Sequence, residues 1–330
     1  MKKHRNALHC ALALCAAAAT VLLFPASGLA QSYPFKPVRM MVPFPPGGST
    51  DIMARIICAE LTNSLGQSFF VENKSGAGGN IGANAVAKAD PNGYTLLFAG
   101  ADNIVINPSL FASMPFDPIN DLAPISLMVT TMNVLLVHPS LPAKSVLELI
   151  ALAKEKPGKL TFASPGPGGT PHLSGELFKM LAGVDILTVS YRGGPLAMSD
   201  VVAGRADMII DAVAPVLPRI QAGTVRALGV TAKKRSPMLP NVPTIAEAGL
   251  PEYEATTWFG VMAPARTPGI VIDRLNQAIV NALKKPEMIE KIRSIGAEPF
   301  SNTPEEFKEL IRVDTDKWRG VVKTAGVTVN

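Results

Sequence analysis

The chain has 330 residues, of which 17% are charged and 48% apolar, with three cysteines and a formal net charge of +5. That length excludes a disulfide-stapled mini-protein. The apolar fraction and mixed charge exclude a disordered chain. At about 150 residues per domain there is room for two domains.

The first thirty residues skew these totals. Lys2, Lys3 and Arg5 form a basic start, Ala7–Phe24 is an Ala- and Leu-rich run, and Pro25 leads to small residues at Gly28 and Ala30. A basic n-region, an apolar h-region and a small-residue exit read as a secretory signal cleaved after Ala30. The alanines and His9 make the run short and weakly apolar for a bilayer anchor. Leu14 before Cys15 is not the small residue expected of a lipoprotein signal, so a soluble periplasmic product is expected. Cleavage leaves 28 Lys/Arg against 26 Asp/Glu, a net charge of +2. Cys10, Cys15, His4 and His9 leave with the segment, while Cys58, His138 and His172 remain. A lone cysteine forms no internal disulfide. A charge of +2 gives no basic footprint for nucleic acid. No later run reaches the ~18 apolar residues that a membrane span needs.

From Val38 short apolar runs alternate with amphipathic stretches. Val38–Val42 reads as a strand. Asp51–Leu65 reads as a helix, with Ile52, Ile56, Ala59 and Met53, Ile57, Leu61 at helical spacing. Phe69–Val71 is a strand, Asn80–Ala89 a helix, Asp90–Gly93 a turn and Tyr94–Ala99 a strand. The rhythm resumes with strand Val134–Val137, helix Ser145–Glu155, strand Leu160–Ala163 and helix Pro171–Ala182. Strands Ile186–Val189, Met208–Ile210 and Ala227–Val230 follow. Trp258–Ala263 is a buried strand, and Pro268–Leu283 and Thr303–Val322 are helices. The last opens on a capping box at Thr303–Glu306 with proline at its first helical position. Such alternation implies parallel-rich sheets covered by helices. Two β-rich passages, Ile125–Val137 and Glu254–Ala263, are long enough to cross from one sheet to another. If both cross, the N- and C-terminal parts share one lobe and the middle forms the other.

Several conventional motifs are missing. The sequence has no CxxC, HExxH or Walker loop and no His/acid cluster at metal spacing. Gly76–Ile81 and Gly166–Pro171 begin like dinucleotide fingerprints but lack the third glycine. Gly47–Asp51 lacks the final glycine of a nucleophile elbow. No enzyme, metal or cofactor is expected. Instead, four glycine-rich loops join strands to helices: 43–51 (PFPPGGSTD), 73–82 (NKSGAGGNIG), 164–170 (SPGPGGT) and 190–195 (SYRGGP). Singly, each is ordinary turn punctuation. Together, at carboxyl ends of parallel strands, they mark a ligand edge. Glycine admits a close backbone approach, and the following helix offers free N–H groups and the positive end of its dipole. Ser49, Thr50, Ser164 and Thr170 add hydroxyls. The implied chemistry is anion binding by backbone.

Single side chains carry less. Arg192 either pairs with a ligand carboxylate or lies on the surface or against Asp200. Asp51 reads mainly as a first-turn acid of its own helix. Asp211 holds a ligand amine or hydroxyl, or caps the next turn, and Asp102 and Asn103 are equally open. His172 faces cleft or solvent, Tyr191 suits a cleft wall, and Trp258 and Phe259 suit the core.

These loops carry a resemblance. PFPPGGSTD at 43–51, GAGGNIGA at 76–83, DPNGYTLLFA at 90–99, INPSLF at 106–111, FDPINDLAPIS at 116–126, YRGG at 191–194, AGRADMIID at 203–211 and IQAGTVRALGVT at 220–231 resemble the Bug family of extracytoplasmic solute receptors. These serve tripartite tricarboxylate transporters. The resemblance runs from Tyr33 to about Val322. It implies an α/β periplasmic-binding-protein type II fold, with two lobes of mixed, mostly parallel sheet and a two-strand hinge. Lobe I would comprise residues 31–130 and 256–330, and lobe II residues 131–255. A small organic carboxylate would be held largely by backbone groups and water. Lobe I would contribute Pro45, Pro46, Gly47, Gly48, Ser49, Thr50, Gly78, Gly79, Asn80, Ile81, Ala101, Asp102 and Asn103. Lobe II would contribute Ser164, Gly168, Gly169, Thr170, Tyr191, Arg192, Gly193 and Asp211. The sequence departs from the family's usual pattern at Ala101–Asn103, at Arg192, where lysine is common, and at Ala212. The expected product is a periplasmic monomer delivering its ligand to inner-membrane transporter subunits. The alternatives are a ligand-binding co-sensor docking on a sensor kinase, and an enzyme built from Asp102, Asp211 and His172.

Overall fold

A computed structural model of the protein describes residues 33–166 and 168–328. The expected signal segment and its cleavage point lie outside the described residues. The unit beginning at Lys36 carries every element described below.

Strands β1 (Val38–Val42), β2 (Phe69–Asn73) and β3 (Thr95–Gly100) are parallel. Helices α1 (Ser49–Leu65) and α2 (Asn80–Ala87) connect them. In α1 Met53, Ile57 and Leu61 are buried, whereas Ile52 is 40% exposed. Of the two apolar stripes legible in this segment, only one therefore faces the core. After β3 a π-helical turn, Asp102–Ile106, leads into the short α3 (Asn107–Leu110).

The next strand, β4 (Leu122–Val137), is 16 residues long and belongs to both sheets. It then gives way to α4 (Val146–Glu155), β5 (Thr161–Ser164), α5 (Thr170–Ala182) and β6 (Leu187–Ser190). Next come α6 (Gly194–Val202), β7 (Met208–Ala212), α7 (Val213–Gln221) and β8 (Arg226–Val230). The chain finishes with β9 (Thr256–Pro264), α8 (Gly269–Leu283), α9 (Pro286–Ser294), the two-residue β10 (Glu298–Pro299) and α10 (Pro304–Ala325).

The main strand order is β2-β1-β3-β9-β4-β7-β5-β6, with β8 and β10 also on β4. The first part of β4 runs antiparallel to β9, down to Met132 opposite Thr256. From Asn133 onward it pairs instead with β7, and from Val134 with β8. The strand therefore changes sheets between Met132 and Asn133. On the return path Ala255 N–H donates to the Thr231 carbonyl at 2.9 Å. This is the two-lobed α/β binding-protein fold, with β4 as the strand shared by its sheets, whereas β9, expected to cross as well, pairs only in the first sheet, the chain returning to it at Ala255.

Two helix starts follow from the sequence pattern. Ser145 Oγ accepts the Glu148 N–H at the start of α4, and the Thr303–Glu306 capping box is formed at α10. The helices α6 and α7 are not expected from periodicity. Prolines at Pro195, Pro215 and Pro218 break up their pattern, although proline is well tolerated in a helix's first turn. One apolar cluster joins Leu135, Ile210, Leu173, Leu177 and Phe178 to Trp258, Phe307 and Trp318. A second joins Val134, Leu136 and Ile209 to Ala197, Met198 and Val201. Trp258 is core, as expected. Its Nε1 donates to Asp314 Oδ2 at 2.8 Å, and its ring meets Phe307 edge-on with centroids 5.2 Å apart. Burial also pushes the Cys58 thiol up to about 12, consistent with an inert core cysteine.

Gly260 lies where α10 presses on β9. A Cβ there would stand 2.5 Å from Phe307 Cζ and 2.8 Å from the Ser126 carbonyl. Overpacking of this kind costs about 1–3 kcal/mol. Gly260→Ala is expected to lower the urea midpoint by a corresponding amount without changing the denaturant slope.

Candidate functional site

The carboxyl ends of β1, β2 and β3 deliver their loops to one place. Asn73 Nδ2 donates to the Phe44 carbonyl at 3.1 Å, tying the second loop to the first. Gly79, at φ +93°, packs so closely that a Cβ would lie 3.4 Å from Pro43 Cβ and 3.2 Å from Asn103 Cβ. Gly82 permits an even closer crossing: a Cβ there would meet the Lys74 carbonyl at 2.6 Å and Pro43 Cα at 2.9 Å. Asn107 Nδ2 donates to the Gly78 carbonyl (2.9 Å) and to Asn80 Oδ1 (2.8 Å), so the Asn80 side chain is held inside the loop. Pro45, Pro46, Gly47 and Gly48 are exposed, Ile81 is 46% exposed, and Thr50 and Ala101 are buried.

The ends of β5, β6 and β7 do the same in the other lobe. Tyr191 N–H donates to the Ser164 carbonyl and Gly193 N–H to the Pro165 carbonyl, both at 2.9 Å. Ser164 is fully buried and hydrogen-bonds within its own loop to Gly166. A Cβ on Gly194 would lie 3.2 Å from Asp211 Oδ2, so this carboxylate sits at the start of α6.

Among the described residues, one hydrogen bond links the two sets. Thr170 Oγ1 at the start of α5 donates to Asp102 Oδ1 at 2.5 Å. It joins the loop after β3 to the loop after β5 and brings the candidate residues of both lobes to a common seam. Two cavities lie elsewhere. One, of about 530 Å³, lies beside Pro118–Pro124, and the other, of about 790 Å³, beside Lys233–Arg235 and Glu298–Asn302. No candidate residue lines either.

The helices at this seam begin without side-chain caps. This holds for α1 at Gly48, α2 at Gly79, α5 at Gly169, α6 at Gly193 and α7 at Ala212. Away from the seam α4 and α10 are capped, though α8 and α9 are not. First-turn N–H groups and positive helix ends thus gather where the sheets meet.

The titratable side chains take different roles. Asp51 is 3% exposed and accepts from Gly47 N–H (3.0 Å), Arg55 Nε (2.9 Å) and Asn73 Nδ2 (3.0 Å). Arg55 foremost, with these backbone and amide donors, holds its carboxyl down at about 2. Asp51 therefore staples the first loop to α1 and β2. Burial pushes the carboxyls of Asp102 and Asp211 above the usual range, and the Thr170 and Ala212 hydrogen bonds only partly offset it. His172 is neither solvent-facing nor free. It is 5% exposed, and its Nδ1 accepts the Gly168 N–H at 3.0 Å, ordering the third glycine loop. Burial chiefly lowers its pKa, in keeping with a neutral ring whose Nδ1 is an acceptor. No hydrogen bond or ion pair joins Asp102, Asp211 and His172 among the described residues.

Among the alternatives open for Arg192, pairing with Asp200 is the one the structure removes. Asp200 is held by Arg205 and by the Tyr191 hydroxyl (2.8 Å), not by Arg192. Arg192 is exposed and has no ion-pair partner among the described residues. The Tyr191 ring packs against the second apolar cluster, so much of it is structural. Phe259 is half-buried and stacked on Phe98, with its edge at Gly100. The anchors Arg55, Asn73 and Asn107 are not singled out by the sequence. Only Asn73, heading the second loop, and Asn107, inside INPSLF, fall within noted motifs.

The sequence from 53 to 327 matches the family described as "Tripartite tricarboxylate transporter family receptor". Over 298 residues the chain is 40% identical to protein BugT of Bordetella pertussis, covering 90% of this chain and 91% of that one. Its structure is similar to that of R. palustris Rpa4515 with adipate, with TM-score 0.74, 39% identity, and coverage of 90% and 99%. It is also similar to MatC (Rpa3494) from Rhodopseudomonas palustris with bound malate, with TM-score 0.70, 31% identity, and coverage of 88% and 100%.

Asp51 makes a pH prediction. Its folded pKa of about 2 lies below the unfolded 3.8, so its contribution is present above pH 3.8 and lost as pH falls through 2. Asp51→Asn is expected to cost about 2 kcal/mol at neutral pH. In urea titrations from pH 7 to pH 2 the gap between parent and variant should narrow at the acid end.

Proposed function

The chain belongs to the Bug family of tripartite tricarboxylate transporter receptors, and we propose that it captures a small organic carboxylate between its lobes for delivery to an inner-membrane transporter of that type. We assign residues 31–130 and 256–330 to lobe I and 131–255 to lobe II. The receptor family and the N-terminal pattern support a periplasmic location for the mature chain.

The observation that carries this reading is the meeting of two sets of parallel-strand ends at the Asp102–Thr170 hydrogen bond. Uncapped helix starts supply N–H donors from both lobes, the chemistry that seats carboxylates. The adipate- and malate-bound relatives point to the same ligand class. In this mechanism a carboxylate docks on the loops of one lobe, and the second lobe completes its shell. Closure is favoured by the ligand's greater affinity for the closed form. A transporter then reads the closed form.

Calorimetry and thermal shift against mono-, di- and tricarboxylates, acidic amino acids, sugars and cations test the reading. A saturable response to at least one carboxylate is expected. Silence toward all carboxylates, with a strong response to sugars or cations, would sink it. In the same preparation, Asp102→Ala removes the hydrogen bond between the two loop sets. Small-angle scattering of the ligand-free variant should give a larger radius of gyration than the parent.

A further inference from the structure

We propose that Asn133, on the crossing strand, is a ligand-binding residue of the interlobe seam, its side-chain amide donating to a carboxylate oxygen. The inference rests on the receptor reading above and adds a residue that the glycine loops do not contain.

Asn133 is 6% exposed, and its Nδ2 has no hydrogen-bond partner. The backbone is already satisfied: its N–H donates to Thr231 Oγ1 and its carbonyl accepts the Thr231 N–H, both at 2.9 Å. The fold therefore makes no use of the side chain's N–H groups. Nor does local packing call for asparagine, because Val134–Val137 after it is an unbroken apolar run. Buried polar groups without partners are uncommon in folded proteins, and each invites a reason.

Register locates the side chain. Successive residues of a strand point to opposite faces. Leu135, two residues on, and its partner Ile210 pack with Leu173 and Leu177 of α5. Val134, Leu136 and Ile209 pack on the other face with residues of α6. Asn133 is thus on the α5 face, opposite Ala212 at the carboxyl end of β7. That is the sheet edge where α5 starts at Thr170 and where Asp102 arrives from the other lobe.

The residue after Asp102 matches it. Asn103 is fully buried, and its Oδ1 accepts the Gly100 N–H at 2.8 Å, which fixes the amide and leaves Nδ2 without a partner. The seam therefore offers an unused amide donor from lobe I and another from the crossing strand. Donors without acceptors suit an anion with several lone pairs.

The test titrates the parent, Asn133→Ala and Asn133→Asp with the carboxylate panel by calorimetry and follows ligand-free unfolding by calorimetric scanning. The expected result is at least a tenfold loss of affinity in Asn133→Ala and a larger one in Asn133→Asp, where like charges face each other. Ligand-free Asn133→Ala should melt no lower than the parent, because it deletes a buried donor that has no partner. Affinity within twofold of the parent in Asn133→Ala overturns the inference alone. So does an affinity loss accompanied by an equal loss of ligand-free stability. If Asn133→Ala does not fold, Asn133→Ser replaces it under the same criteria. A parent that binds no carboxylate overturns the receptor reading, and this inference with it.

Discussion

The architecture depends on one strand being hydrogen-bonded into two sheets. β4 pairs with β9 up to Met132 and with β7 and β8 beyond it. Each sheet's parallel strands can then present their carboxyl ends to the same seam. A flexible linker at this position would leave the two loop sets to find each other by diffusion, at an entropic cost for ordering every residue between them. A continuous strand removes most of that freedom and leaves bending at the change of sheet. The register shifts within the β4–β9 pairing, at Pro124/Ser126 and Leu127/Val129, lie before that change.

Glycine loops alone do not make a rigid anion seat, because glycine is the residue with the most backbone freedom to lose. Here polar side chains beneath the loops supply the order. Asp51 gathers Gly47, Arg55 and Asn73, Asn107 clamps Gly78 and Asn80, and His172 holds Gly168. The acid at the first of these is strongly ionised, and its charge is consumed by its own partners. It therefore does not oppose a carboxylate at the exposed stretch Pro45–Gly48. In the proposed receptor, the glycine loops would recognise through their backbone while these side chains hold the loops in place.

How far the sequence reveals this arrangement follows from which forces are local. The strand–helix rhythm, the capping box at Thr303 and the four glycine loops are local patterns and read correctly. The crossing passage Ile125–Val137 also reads as β-rich, although β4 starts three residues earlier, at Leu122. Its first half, with Pro124 and several polar residues, lacks clean alternation because it lies in a sheet pair with bulges. Pro195, Pro215 and Pro218 obscure α6 and α7, whose helical state is stabilised by burial of Ala197, Met198, Val201, Val213 and Val216. The side chains Asp51, His172 and Tyr191 are visible as polar residues near loops. Their partners, however, lie on neighbouring strands, helix turns or loop backbones, and periodicity does not encode those contacts.

Asn133 is the extreme case of that limit. In sequence it is one polar residue at the head of an apolar run, indistinguishable from a strand-end asparagine. Its meaning comes from burial, from a backbone already paired with Thr231, and from its place where the chain changes sheets. A donor at that point does more than add a contact. A ligand shifts an equilibrium between open and closed forms only by its difference in affinity for the two. Groups deep within one lobe touch a ligand equally in both forms and contribute little to that difference. Asn133 is tied to Thr231 and so moves with the second sheet, reaching a ligand seated on the loops of the first only as the lobes close. That argument favours the crossing strand over the exposed rim loops as the place where binding and closure are coupled.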